Sequence, residues 1–160
     1  MQKLTPMAMN PLKFRLATPK DVATLVTINI DGAESYRTIN VKMFKELTST
    51  KQVLCAIQDQ EIVALLYWRN DFLGRFNQWY LKQITVSKKY RKQGVGLSLL
   101  KEFLVYAKKK KVEKVFADVH NDNYASLNTC LSAGGLISGY IEGVGKTKGK
   151  DERVIFRFEL

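Results

Sequence analysis

Residues 82–96 read Lys-Gln-Ile-Thr-Val-Ser-Lys-Lys-Tyr-Arg-Lys-Gln-Gly-Val-Gly. The stretch opens as a strand. Ile84 and Val86 share one face, Thr85 between them is β-branched, and the apolar pattern stops at Ser87-Lys88-Lys89. The basic segment Arg91-Lys92-Gln93-Gly94-Val95-Gly96 follows. Behind it Leu99, Leu100, Phe103, Leu104 and Ala107 recur with a helical period. Strand, basic glycine loop and helix start make a layout suited to phosphate. Glycines let the backbone approach a ligand, the first helical N–H groups point at it, and the helix dipole favours negative charge. Arg91 and Lys92 add formal charge, and an Arg grips phosphate with two donors.

Outward from this stretch the chain alternates strands and helices. Leu12 to Ala17 alternates as a strand. Thr18-Pro19-Lys20-Asp21 is a helix start, with Thr18 as N-cap, Pro19 in the first turn and an acid near the positive end. Val22, Leu25, Val26 and Asn29 fall on one helical face, and Asp31-Gly32 breaks the helix. A second helix is expected from about Ser35 to Leu47. Gln52 to Ile57 and Ile62 to Trp68 read as strands joined around Asp59-Gln60-Glu61. Trp79 to Val86 carries the opening stretch. Val112 to Val119 is the next strand, followed by a helix from Tyr124 to Ala133 that Asn123 or Asp122 caps and Gly134-Gly135 stops. Leu136 to Ile141 and Arg153 to Leu160 form a closing strand pair. Residues 1–11 read as a tail and residues 12–160 as one domain.

Composition bounds the function. The 160 residues are 46% hydrophobic and 26% charged, the profile of an ordinary globular chain with a real core. No apolar run is long enough to span a bilayer, and the first residues lack the apolar core of a signal peptide, so cytoplasm is the expected compartment. Two distant Cys give no disulfide framework, and a single His argues against a His-based zinc site, so no metal is expected. The net charge of +11 fits a phosphorylated ligand, an acidic partner or nucleic acid. Its densest run, Lys108 to Lys111, falls at a helix end, where cations suit the dipole, and no aromatic residues interleave with it. A nucleic-acid role therefore rests on charge alone. Gly143-Val-Gly145-Lys146-Thr147 resembles the end of a nucleotide P-loop, but the required first glycine is replaced by Tyr140.

Arg91-x-x-Gly94-x-Gly96, preceded by Ile84-x-Val86 and followed by Leu99-Leu100, resembles the acetyl-CoA motif of the GNAT superfamily of N-acetyltransferases. Asn123-x-x-Ser126-x-x-x-Cys130-x-x-x-Gly134-Gly135 is similar to the later motif of that superfamily. The two blocks span about residues 78–135; elsewhere the likeness is in the order and length of elements. The resemblance implies an α/β (α+β) single-domain fold, with a mixed central sheet of about seven strands flanked by about four helices. It implies acetyl-CoA as co-substrate, an amine acceptor as the other partner, and direct attack in a ternary complex. Homodimers are common among similar proteins.

The resemblance also implies roles for particular residues. Ile84, Thr85 and Val86 would bind the pantetheine arm through backbone groups, Val86 N–H polarising the thioester carbonyl. Arg91, Lys92, Gln93, Gly94, Val95 and Gly96 would bed the pyrophosphate, and Asn123 and Ser126 would touch the cofactor. Many members carry a Tyr that protonates the departing thiolate; the register here places Cys130 at that position. For the general base, His120 has a suitable intrinsic pKa, Glu34 is next and Asp118 after it. Glu34, Tyr36 and Arg37 are candidate acceptor contacts. The missing Tyr and missing strand acid leave a non-catalytic acyl-CoA-binding or regulatory module as the alternative.

Overall fold

The computed structural model describes residues 11–32, 41–142 and 152–160. Its elements, in chain order, are β1 (Lys13–Leu16), a 3-10 turn (Pro19–Asp21), α1 (Val22–Gly32), α2 (Val41–Ser49), β2 (Val53–Gln58), β3 (Glu61–Arg69) and β4 (Gln78–Val86). A second 3-10 turn (Lys88–Tyr90) leads into α3 (Val95–Lys109), then β5 (Lys114–His120), α4 (Tyr124–Ser132), β6 (Leu136–Ile141) and β7 (Arg153–Glu159). They build one seven-stranded sheet in the order β1-β2-β3-β4-β5-β7-β6. Every pairing is antiparallel except β4 with β5. The expected mixed sheet with four flanking helices is the observed one.

The chain enters its first helix as the residues demand. Asp21 Oδ2 accepts from the Thr18 N–H at 2.7 Å and the Thr18 hydroxyl at 2.9 Å, and its two oxygens take both terminal nitrogens of Arg15 at 2.7 and 2.9 Å. The hydrogen bonds from Arg15, ahead of those from Thr18, hold the Asp21 carboxyl well below the usual carboxylate range. A depressed acid contributes stability above its unfolded pKa, near 4, and that contribution disappears as pH falls further. Asp21→Asn is accordingly expected to lower stability by about 1–2 kcal/mol at pH 7. Urea melts should show the gap to wild type closing below pH 4; a gap independent of pH would refute the assignment.

Two differences from the sequence reading have local causes. The β2–β3 connection is a two-residue turn, with Asp59 and Gln60 both left-handed (φ 50° and 68°), so Glu61 already belongs to β3. The second helix runs past Leu47 to Ser49, where the Thr48 hydroxyl donates back to Phe44 O at 2.8 Å.

The sheet is covered on both faces. One face packs Leu54, Leu66, Trp68, Leu81 and Val115 under Leu99, Leu100 and Phe103 of α3 and Cys130 of α4. Trp68 anchors it, with Phe103 at 4.9 Å, Trp79 at 5.5 Å and Tyr106 at 5.7 Å between ring centroids. The other face packs Val53, Cys55, Leu65 and Tyr67 under Val22, Leu25 and Ile28 of α1 and Phe44 of α2. Among the described residues no helix is long and apolar enough to cross a membrane.

Candidate functional site

The site begins at a fault in the sheet. β4 and β5 pair in parallel from Gln78 with Lys114 to Leu81 with Ala117, and there the ladder stops. Both strands continue, β4 to Val86 along β3 and β5 to His120 along β7. At the same level β4 carries one extra residue: Tyr67 faces Gln83, whereas Trp68 faces Leu81. Lys82 is the bulged residue, its ammonium 4.7 Å from the centre of the Tyr80 ring. A bulge bends its strand and sharpens local twist, which turns β4 away from β5. The result is a wedge-shaped gap in the middle of the sheet.

Alternation along the antiparallel ladder decides which groups face this gap. Ser87 N–H donates to Val63 O at 2.9 Å, and Val86 lies opposite Ala64. Ser87 and Thr85 therefore turn their backbone groups to β3, and Ile84 and Val86 turn theirs toward the gap. Thr85 departs from its expected role: its backbone belongs to the ladder, its side chain is 3% exposed, and its hydroxyl accepts from Gln83 Nε2 at 2.8 Å.

The basic loop closes one end of the gap. Lys92 (φ 59°) and Gly94 (φ 78°) are both left-handed, and Gly94 caps α3, a conformation that strains any residue with a Cβ. The helix thus starts at Val95, so Gly96 lies in its first turn rather than in the loop. Ser98 N–H donates to Gly94 O at 3.0 Å as the first intrahelical bond, and the N–H groups of Val95, Gly96 and Leu97 precede it without helical acceptors. The Val95 side chain is locked in the core at 2% exposure, so only its backbone serves a ligand. A Cβ on Gly96 would sit 3.5 Å from Val86 Cγ2 and 3.9 Å from Ile84 Cγ2, which shows how closely the first turn rides over β4. Lys88, Lys89, Lys92 and Gln93 are exposed around the loop. Arg91 is tied to the strand, its Nε donating to Val86 O at 3.2 Å, and Gln93 Nε2 donates to Lys89 O at 3.0 Å.

The far wall belongs to β5 and the start of α4. Val119 packs in the core, so its neighbours Asp118 and His120 emerge on the opposite face. His120, expected at the C-terminal end of its strand, is the last residue of β5 and lies opposite Arg153 of β7. Asp118 is held in an ion pair with Arg153, both nearly buried, which commits the third candidate base to a structural partner. Asn123 caps α4, its Oδ1 accepting from the Ser126 N–H at 3.1 Å, and its side-chain N–H groups remain to meet a ligand. Glu34, Tyr36 and Arg37 lie outside the described residues, as do Lys146, Lys148 and Lys150, whose loop the sequence would let overhang the acceptor site.

Burial speaks against Cys130 as a proton donor. It sits in the core at 3% exposure, and burial pushes its thiol up to about 12. A thiol raised by burial gives up its proton less readily than the ordinary thiol that the departing thiolate would become. Tyr124 is 72% exposed and offers no substitute. Cys55 is likewise buried and pushed up to about 12. A raised pKa leaves stability intact below the unfolded value, near 9, and erodes it as pH climbs toward 12. Between pH 8 and 10 the Cys55→Val variant should therefore lose about 1 kcal/mol less stability than wild type in urea melts. Equal losses would contradict the burial argument.

Concavity alone does not mark the site. A depression of about 440 Å³, lined by Arg15, Asp21, Thr24, Gln60, Glu61 and Ile62, holds no group poised for chemistry, since the Asp21 carboxylate is fully engaged. Among the described residues no cluster of three or more His, Cys, Asp or Glu is arranged to hold a metal. Sequence reasoning overlooked one group, a polar network of Asn29, Tyr67, Gln83 and Thr85 beside the bulge. Its only signal was Asn29, a polar residue on an apolar helical stripe.

The model of the acetyltransferase (GNAT) family matches residues 24–134, more than half of the chain. No curated protein matches it in sequence. Among solved structures, a GNAT-family acetyltransferase from Bacillus cereus is 21% identical, with 94% of this chain and 98% of that one covered and a TM-score of 0.79. A Salmonella typhimurium protein described as an acetyltransferase, solved with its cofactor acetyl-CoA, is 18% identical over 94% and 95% of the two chains, with a TM-score of 0.81. The ribosomal-protein-S18-alanine N-acetyltransferase of Escherichia coli is 17% identical over 93% and 94%, with a TM-score of 0.78. At these identities the likeness is one of fold.

Proposed function

The chain belongs to the acetyltransferase (GNAT) family, and from that premise we propose that it transfers the acetyl group of acetyl-CoA to a primary amine by direct attack in a ternary complex. One observation carries the reading: the Ile84 and Val86 backbone groups face the gap between β4 and β5, beside the basic loop and the unpaired N–H groups of α3. An extended pantetheine arm can pair with those backbone groups as a further strand would. The loop and first turn of α3 suit its pyrophosphate.

Acetyl-CoA supplies an activated acyl group as a thioester. The protein's part is to hold the arm, orient the carbonyl and exclude water. Val86 N–H is placed to polarise the thioester oxygen, where negative charge develops. His120 borders the gap as the candidate base for the amine proton, directly or through water. With Cys130 sealed in the core, the thiolate leaves without an acid from that position.

Thermal melting with acetyl-CoA, CoA, ATP and no ligand tests the binding half of the reading. A ligand at a hundred times its Kd stabilises the native state by about 2.7 kcal/mol. Acetyl-CoA is expected to raise Tm and ATP to leave it unchanged. Release of CoA thiol in the presence of a panel of primary amines tests the transfer. A shift without thiol release would favour an acyl-CoA-binding module, the reading to which the buried Cys130 lends weight; no shift with acetyl-CoA would defeat both.

A further inference from the structure

We propose that Gln83 receives an N–H of the acceptor amine through its side-chain oxygen, and that Asn29 and Thr85 hold it in place for that contact. The inference rests on the acetyl-transfer reading above. It starts from the two faces of β4. The side chains of Ile84 and Val86 lie on the α3 face, beneath the first turn of that helix. That is also the face of the phosphate-binding loop. Gln83 and Thr85 alternate to the opposite face, under α1. With the α3 face of Ile84 and Val86 covered by the first turn of that helix, the opposite face is the approach left to an acceptor. Gln83 is the first residue past the bulge, beside the point where β4 and β5 cease to pair.

The hydrogen bonds of Gln83 leave a specific atom available. Nε2 donates to Asn29 Oδ1 at 2.9 Å and to Thr85 Oγ1 at 2.8 Å, so both amide hydrogens are spent within the protein. Among the described residues the oxygen Oε1 accepts only from the Tyr67 hydroxyl, at 3.3 Å, long for an O–H···O bond. An amide oxygen carries two lone pairs, and one stays open. Gln83 is half-buried, whereas Asn29 and Thr85 are 2% and 3% exposed. The network is thus rigid where it is buried and accepting where it meets the gap. For stability alone, well-packed apolar side chains in these places would serve as well. What the polar set adds is a fixed rotamer for Gln83.

The chemistry needs such an acceptor. The neutral amine forms the N–C bond with its lone pair, the C–S bond breaks with its electrons passing to sulfur, and the surplus ammonium proton leaves to water or a base elsewhere. An amide takes no proton. By accepting one N–H it turns the nitrogen lone pair toward the carbonyl carbon, so its loss should be felt by the amine and not by acetyl-CoA.

The test compares wild type, Gln83→Leu and Asn29→Leu. Acetyl-CoA binding is measured by calorimetry, and thiol release is measured with an alkylamine, a peptide N-terminal amine and a lysine ε-amine. Wild-type turnover decides the underlying reading by itself: its absence removes that reading and this proposal together. With turnover present, Gln83→Leu is expected to lower kcat/KM for the amine about tenfold with the acetyl-CoA Kd unchanged. Asn29→Leu, which leaves one Gln83 N–H without its acceptor, is expected to lower Tm modestly and amine kcat/KM several-fold with the acetyl-CoA Kd unchanged, a split that a merely structural role would not give. Amine kcat/KM within twofold of wild type in Gln83→Leu, or a parallel loss of acetyl-CoA affinity, would overturn the proposal.

Discussion

A Val86→Pro chain is expected to melt within a few degrees of wild type while its kcat/KM for acetyl transfer falls about 10²–10³-fold. Proline cannot donate a backbone hydrogen bond. At Val86 that loss leaves the sheet intact, because the alternation set by Ser87 N–H donating to Val63 O turns the Val86 N–H away from β3. Thr85, the residue before the new proline, is extended within β4, as a pre-proline residue must be. The donor that disappears is the one proposed above to meet the thioester oxygen. Thr85→Pro is the control. Its N–H lies on the β3 side, opposite Leu65, so the same substitution one residue earlier breaks the ladder and should fold poorly. Thermal melts and thiol-release kinetics on the two variants separate fold from chemistry. Retained turnover in Val86→Pro, or equal destabilisation of both, would show that the gap-facing N–H has been misassigned.

Gly135→Ala is expected to cost about 3 kcal/mol, whereas its neighbour Gly134→Ala should cost about 1 kcal/mol. The two glycines look interchangeable as a helix stop. At Gly134 a Cβ meets open space, and only the left-handed φ of 88° resists it. At Gly135 a Cβ would lie 2.8 Å from the Cys130 carbonyl oxygen and 2.9 Å from two ring atoms of Phe158. Phe158 is 2% exposed and fixed in the core, and the carbonyl belongs to the last turns of α4, so neither can yield cheaply. The displacement would pass along α4 to Asn123 and Ser126, and acetyl-CoA affinity should fall with stability. Urea midpoints for the two variants measure the difference; similar values would mean that the backbone angle, not the space, governs both positions.

Much of this architecture is legible in the sequence, because the responsible forces act over a few residues. Alternation at Ile84 and Val86, the Thr18–Asp21 helix start, the stripe from Leu99 to Ala107 and Gly94 ahead of α3 each declare a local geometry, and each lies where its pattern places it. The two glycine-bearing blocks suffice to identify the family. Roles that depend on burial were harder to read. Cys130 occupies the position of an acid in the motif register, but its use is decided by the core closing around it. Thr85 has the right place in the strand and the wrong phase, since alternate residues address opposite neighbours.

The sequence by itself therefore determined the order of elements, the basic glycine loop ahead of α3 and the family. Only the tertiary structure decided where the sheet opens, which backbone groups face the opening and what holds Gln83. A bulge at Lys82 is a mismatch of register between two strands, and no run of residues within one strand records it. Asn29 and Gln83 stand 54 residues apart, and Asp118 and Arg153 stand 35 apart. Such pairs form because packing of the whole sheet brings buried polar groups together, where an unmade hydrogen bond is costly.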